Sequence, residues 1–301
     1  MHQLRNVCIV SVSMLALGFA AGCGTSRPAR TAVLDPELRQ NAEAARAAMA
    51  ANNPRGAAQL YAAALVRARV IDDGPEIAHA AYNLAICLAT SDRCEEALVR
   101  LSEARHQAGK DQEGLIDLTE AKLLLRLGRI EDARRMLAAA EALLDPDAKI
   151  GITAQSQLLS ASLALASGDA PGARGALALA EVSVRAAGDD KLKAELHEIT
   201  GRVLLKESRQ DEAAREFEQA SDLYRVCGLH ADMALLLAEA AAASAAAGQN
   251  EKAADLFFRA GRSHQGAGNK AAADELFARA IAAAGLQGAP VIRRRIDELA
   301  R

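Results

Sequence analysis

Side chains capable of covalent or metal chemistry are few in this sequence, and their spacing rarely assembles them. His197-Glu198 is the one pair that opens a zinc-binding His-Glu-x-x-His helix, in which two imidazoles four residues apart share a face. The position four beyond His197 is Gly201, so the second ligand is missing. Gly266-Ala267-Gly268-Asn269-Lys270 has the glycines and lysine of a phosphate-cradling loop but neither its spacing nor the following hydroxyl residue, and a turn between two helices accounts for it. The carboxylate pairs Glu95-Glu96 and Asp189-Asp190 have the chemistry of general acids and bases. Both fall at predicted helix starts, where negative charge is stabilised by the helix dipole. No enzyme, cofactor or metal site is expected from these residues.

The cysteines carry more information. Of the five, Cys8 and Cys23 lie near the start and Cys87, Cys94 and Cys227 further on. Residues 1–6 hold one arginine, Arg5, and residues 7–21 are apolar apart from Ser11 and Ser13. A membrane-spanning helix needs about 20 apolar residues. A shorter run after a basic start, with small residues at its exit, is the pattern of a secretory signal peptide. The exit reads Phe19-Ala20-Ala21-Gly22-Cys23. It resembles the lipobox of bacterial lipoproteins, with Ala20 where leucine is usual. The resemblance implies that residues 1–22 are removed and that the Cys23 thiol becomes a lipid thioether. One acyl chain binds a bilayer only marginally, so stable anchoring takes two or more, and the multiply acylated cysteine of lipoproteins meets that need. Gly24 instead of aspartate favours, by the same resemblance, the outer membrane.

Residues 23–35 then form the lipidated cysteine and a tether rich in Gly, Thr, Ser, Arg and Pro, whose twelve residues beyond Cys23 reach at most about 40 Å. An exported chain meets an oxidising compartment. A disulfide between Cys87, late in one helix, and Cys94, early in the next, would staple a hairpin; two small core residues are the alternative reading.

These few reactive groups must be positioned by helices. The chain is 51% hydrophobic but only 3% aromatic, and alanine, the best helix former, supplies much of the apolar content. A net charge of −3 with both signs interspersed gives no basic field for nucleic acid. One phrase recurs: an alanine, a larger apolar residue four later, and an alanine three beyond that. It runs through Ala57/Tyr61/Ala64, Ala97/Leu101/Ala104 and Ala133/Leu137/Ala140, then Ala173/Leu177/Ala180, Ala213/Phe217/Ala220 and Ala253/Phe257/Ala260. The first alanines are 40, 36, 40, 40 and 40 residues apart, and twelve residues before each lies Ala45, Ala85, Ala121, Ala161, Gly201 or Ala241. Offsets of four and seven keep residues on one helical face. Each copy is therefore a hairpin of two helices meeting through small side chains, and a fixed period of this kind marks a repeat architecture. Gly128, Gly168 and Gly248 are placed to end helices in a left-handed residue, with Asn52 and Asp92 as chemically similar breakers.

Asn83-Leu84-Ala85, Glu96-Ala97-Leu98 and Ala104, and again Gly201, Glu212-Ala213, Phe217 and Ala220, resemble the signature of tetratricopeptide repeats. The resemblance implies an all-α, right-handed solenoid of about six to seven hairpins over residues 36–288, with a period nearer 40 than the family's 34, and residues 289–301 as a capping helix. It also implies a concave groove lined by the first helix of each hairpin. The family's contact positions map to Arg39, Arg46, His79, Tyr82, Asn83, Leu118, Lys122, Leu158, Ser162, Glu198, Arg202 and Lys206. Arg46, Lys122 and Arg202, with Leu118 and Leu158 between them, would make a basic and apolar trough for an acidic peptide segment. The function implied is an outer-membrane-anchored, periplasm-facing scaffold or assembly factor for envelope complexes. Its partners would be an envelope protein in the groove and the membrane through Cys23, with no nucleic acid. A small-ligand or glycan-binding accessory lipoprotein, or a cytosolic regulatory repeat protein if the leader is misread, stays open.

Overall fold

The computed structural model describes residues 35–144 and 150–299, and those residues are helical. The expected signal, Cys23 and the expected tether as far as residue 34 lie outside them. The chain divides into two compact units, Met1–Asp145 and Pro146–Arg301.

The first unit holds three hairpins: α1 (Pro36–Ala50) with α2 (Pro54–Val70), α3 (Gly74–Thr90) with α4 (Cys94–Gln107), and α5 (Lys110–Arg126) with α6 (Ile130–Leu143). The second holds α7 (Ile150–Ala166) with α8 (Ala170–Ala187), α9 (Asp190–Lys206) with α10 (Gln210–Val226), and α11 (His230–Ala246) with α12 (Asn250–Gly266), followed by α13 (Lys270–Leu299). Each unit is a stack of antiparallel hairpins, so the fold class is the expected α-solenoid type.

The helices begin and end where side-chain chemistry requires. Asp35, Asn53, Asp73, Asp169 and Asp189 accept hydrogen bonds from otherwise unpaired first-turn amides of α1, α2, α3, α8 and α9. Proline occupies the first turn of α1, α2, α3 and α8, where it forfeits no helical bond. The hairpin turns close with a left-handed residue: Asn52 (φ 55°), Asp92 (φ 63°), Gly128 (φ 73°), Gly168 (φ 80°) and Gly248 (φ 78°). At the third turn, Arg129 N–H reaches the Leu124 carbonyl at 2.8 Å and Gly128 N–H that of Leu125 at 3.0 Å, which satisfies carbonyls the helix end would otherwise leave unpaired.

Packing follows the repeated phrase. Ala85, Ala97, Leu101 and Ala104 are all fully buried, so α3 and α4 meet through three alanines and a leucine. In the fifth hairpin the partners are Gly201 and Phe217, and a Cβ built on Gly201 would stand 2.7 Å from the Phe217 ring. The smallest slot therefore faces a large ring, although Tyr61 and Phe257 stand at the same offset from Ala45 and Ala241. Gly261 and Phe277 repeat the arrangement between α12 and α13.

The C-terminal boundary differs from expectation. Helix α13 runs through residue 288 and is broken instead at Gly285, whose φ of 64° and ψ of −172° only glycine adopts readily. The final segment is amphipathic, not simply polar: Ile292 is buried, and the Arg295 guanidinium lies 3.9 Å from the Phe258 ring centroid and 3.0 Å from Asp255.

Candidate first-helix faces

In the first unit, Arg39 and Arg46 stand exposed on α1, seven residues apart and hence on one face. Neither forms an ion pair among the described residues, although Glu43 lies between them. Opposite Arg46 on α3, Glu76 is half-buried and its carboxyl is pushed up by burial, then by Asp73, with the Arg46 charge opposing. His79 is half-buried beside them, and burial followed by the Arg46 charge holds its imidazole towards the neutral form. Asn83 is buried and its Nδ2 donates to the His79 carbonyl at 2.8 Å. Tyr82 is buried with its hydroxyl 3.0 Å from Thr119 Oγ1. Because Thr119 Oγ1 donates to the Leu115 carbonyl, Tyr82 is the donor of that pair. Burial pushes its phenol up to about 12.

The trough expected between these positions is corrected at four of them. Leu118 and Leu158 are 1% and 2% exposed, packed in the cores of their units and not available as an apolar floor. Lys122 is buried on α5. Arg202 is engaged by Glu198 and Glu239, at 2.8 and 3.4 Å. The physical reason is that a first helix packs on its own second helix and on a neighbouring hairpin, as α7 does on α8 and α9, so positions that face outward on an isolated hairpin are covered here. Ser162 is half-buried on α7 and bonds its own helix through the Leu158 carbonyl at 3.0 Å, while Lys206, ending α9, is exposed.

The second unit holds instead a buried polar cluster. Glu198 Oε1 receives Arg202 and Glu198 Oε2 accepts from the Tyr224 hydroxyl at 2.6 Å. Burial pushes the Glu198 carboxyl up to about 7, against the pull of Arg202 and of the tyrosine bond. The sequence reading named Glu198 and Arg202 but not Tyr224 or Glu239; Tyr224, eleven residues past Ala213 on the inward face of α10, was the available signal. His197, next to Glu198, turns the other way and pairs through Nδ1 with Glu216 at 2.7 Å.

The cysteine pairing left open by the sequence is not formed. Cys87, Cys94 and Cys227 are free thiols, and the Cys87 thiol points to Met49 Sδ on α1 at 3.4 Å. Burial pushes the Cys87 thiol up to about 12, the behaviour of a small core residue. Among the described residues, no group of three or more His, Cys, Asp or Glu side chains could hold a metal, and no helix is long and apolar enough to cross a membrane.

Residues 43–112, spanning the second hairpin and its flanks, match the tetratricopeptide-repeat family. Tetratricopeptide repeats are thus shown for that segment. Solved structures carry the likeness over the remaining helices. The chain is similar to a signal-transduction ATPase with a tetratricopeptide-repeat sensor from Pyrococcus horikoshii (TM-score 0.63, 16% identity, 87% of this chain and 40% of that one). It is similar to the Cut9-Hcn1 hetero-tetramer of the APC/C (TM-score 0.62, 17% identity, 82% and 43%) and to a Rap protein complexed with Competence and Sporulation Factor (0.59, 13%, 87% and 76%). The repeat protein spans about two-fifths of the length of the first two. No curated protein matches its sequence. At these identities the likeness is one of fold.

Proposed function

We propose that this tetratricopeptide-repeat chain is a non-catalytic protein-interaction scaffold of the bacterial envelope, tethered to the outer membrane through lipidated Cys23 and facing the periplasm. The observation that carries the binding part is the exposed, unpaired Arg39 and Arg46 on α1. Seven helical residues separate them by about 10 Å, the span of three residues in an extended strand. In an extended partner the third residue along points to the opposite face, so a partner helix with two carboxylates seven apart matches that spacing instead, and Glu76 and His79 beside it would restrict which residues fit between. A Rap protein of the same fold is solved with a signalling factor bound, which supports ligand binding as a use of the architecture. The tether part rests on the sequence around Cys23. Palmitate labelling of the full chain tests it: label should enter the natural chain and vanish from Cys23→Ser, and an unlabelled natural chain overturns the envelope assignment. Arg39→Glu with Arg46→Glu tests the binding face.

A further inference from the structure

The second helices of the first unit enclose a feature that the first-helix face does not use. A cleft of about 700 Å³ opens between α2 and α4 above α3. Its floor is core: Leu65, Leu84 and Leu88 are 2%, 7% and 5% exposed. Its walls are Val66 on α2 and Val99 on α4, which remain 56% and 57% exposed although both are β-branched and apolar. Four arginines line it, Arg55, Arg69, Arg93 and Arg100, against one lining carboxylate, Glu96. Arg93 pairs with Glu96 at 2.6 Å, while Arg69 and Arg100 share Glu103. Arg55 has no carboxylate partner among the described residues, so the rim holds four guanidinium charges against two carboxylates.

The second unit supplies an internal comparison. A cleft of about 650 Å³ lies at the equivalent place between α8 and α10 above α9. There Arg174, Arg185, Lys193 and Arg209 face Glu181, Glu212 and Glu216 along the lining, and Glu207 pairs with both Arg174 and Arg209. At the place of Arg100, three residues past the phrase alanine, stands Glu216; at the place of Val99 stands Arg215. That cleft is charge-balanced and has no valine at the place of Val99, and Val182, exposed at the place of Val66, is not part of its lining. The surplus of positive charge with two exposed valines is particular to the first unit.

We infer that the α2–α4 cleft is a second docking surface, distinct from the α1 face, and that its occupant is an amphipathic helix of a partner protein with an apolar stripe flanked by Glu or Asp. An apolar floor between parallel ridges accepts side chains spaced three and four apart on a helix, and the arginine rim sets the flanking charge and speeds encounter. The absence of aromatic side chains from the lining leaves no surface on which bases would stack, which favours a peptide over single-stranded nucleic acid.

The test is selection from a display library of helix-constrained peptides on the immobilised full chain, with affinities of enriched peptides measured by fluorescence anisotropy. Enriched peptides should be amphipathic and acid-flanked. They should bind Val66→Glu/Val99→Glu roughly tenfold or more weakly and Arg55→Glu more weakly to a lesser degree. They should bind Ala178→Glu, in the second cleft, and Arg39→Glu/Arg46→Glu as tightly as the natural chain. The substituted side chains are solvent-exposed, and circular dichroism of each variant checks that the helices are intact. No enrichment above a blank support, basic-flanked winners, or undiminished binding to Val66→Glu/Val99→Glu would overturn the inference. Loss of binding to Arg39→Glu/Arg46→Glu alone would move the site to the α1 face.

Discussion

Glu198 is 2% exposed, with a guanidinium on one oxygen and a phenol on the other, and its titration is the residue-level property with the clearest consequence. Its carboxyl titrates near 7 in the folded chain, above its usual value of 4.5. Between those two values the folded chain binds more protons than the unfolded one. Rising pH therefore favours unfolding across that window, and the stabilising contribution, full below about 4.5, is lost by about 7. Urea unfolding from about pH 5 to pH 8 should show falling stability for the natural chain and a flatter profile for Glu198→Gln, which keeps an acceptor for Tyr224. Equal slopes for the two would show that Glu198 is not the titrating group. Ser208 gives a simpler case. It closes the α9–α10 turn at φ 60°, a conformation the other hairpins give to Gly, Asn or Asp. Ser208→Gly removes a Cβ clash with the neighbouring carbonyl and should stabilise by about 1 kcal/mol, read as a rise of a few degrees in Tm.

Hairpins are the elements, and their interface accepts several pairings of a small with a larger side chain, among them Ala45/Tyr61 and Ala241/Phe257. Ala85/Leu101, Ala121/Leu137 and Ala161/Leu177 use a small and a medium side chain, whereas Gly201/Phe217 uses none and a large one. Gly201→Ala drives a methyl into a fully buried ring and should destabilise by about 1–3 kcal/mol in thermal unfolding. Adding Phe217→Leu restores the alanine–leucine pairing of those three hairpins and should recover most of that loss. A double variant no more stable than Gly201→Ala would mean that the pair is not what joins α9 to α10.

This level was the most legible in the sequence, because the Ala, Leu and Phe residues of the phrase report contacts within one hairpin at fixed helical offsets. Contacts between hairpins were not. Leu118, Lys122 and Leu158 occupy positions that a single hairpin leaves open, and only stacking buries them. The break at Gly285 was hidden for a different reason: Pro290 is the stronger sequence signal, yet the proline is absorbed within a helix while the glycine bends it.

At the scale of the whole molecule, the described residues present two kinds of charged surface in the first unit, the α1 face and the α2–α4 cleft. Most arginines elsewhere are spent on neighbouring carboxylates, as Arg93 on Glu96, Arg129 on Asp132 and Arg209 on Glu212. Exposed pairs of that kind contribute little to stability, so Arg39 and Arg46, which like Arg55 lack such partners among the described residues, are charges free to act on another molecule. Their reversal should leave the thermal transition of the chain within about 0.5 kcal/mol of the natural one. The anchor proposed at Cys23 would hold the chain near a bilayer, where it would sample its partners at high effective concentration. Cys23→Ser should therefore weaken capture in cells far more than capture by the purified chain.

The most direct measurement is crosslinking capture from envelope membranes, comparing the natural chain with Arg39→Glu/Arg46→Glu at matched amounts and quantifying each captured protein by mass spectrometry. The α1 face as binding surface predicts a discrete partner, with acidic residues in the crosslinked segment, reduced roughly tenfold or more by the double reversal. Capture of the same proteins in the same amounts by both chains would contradict it.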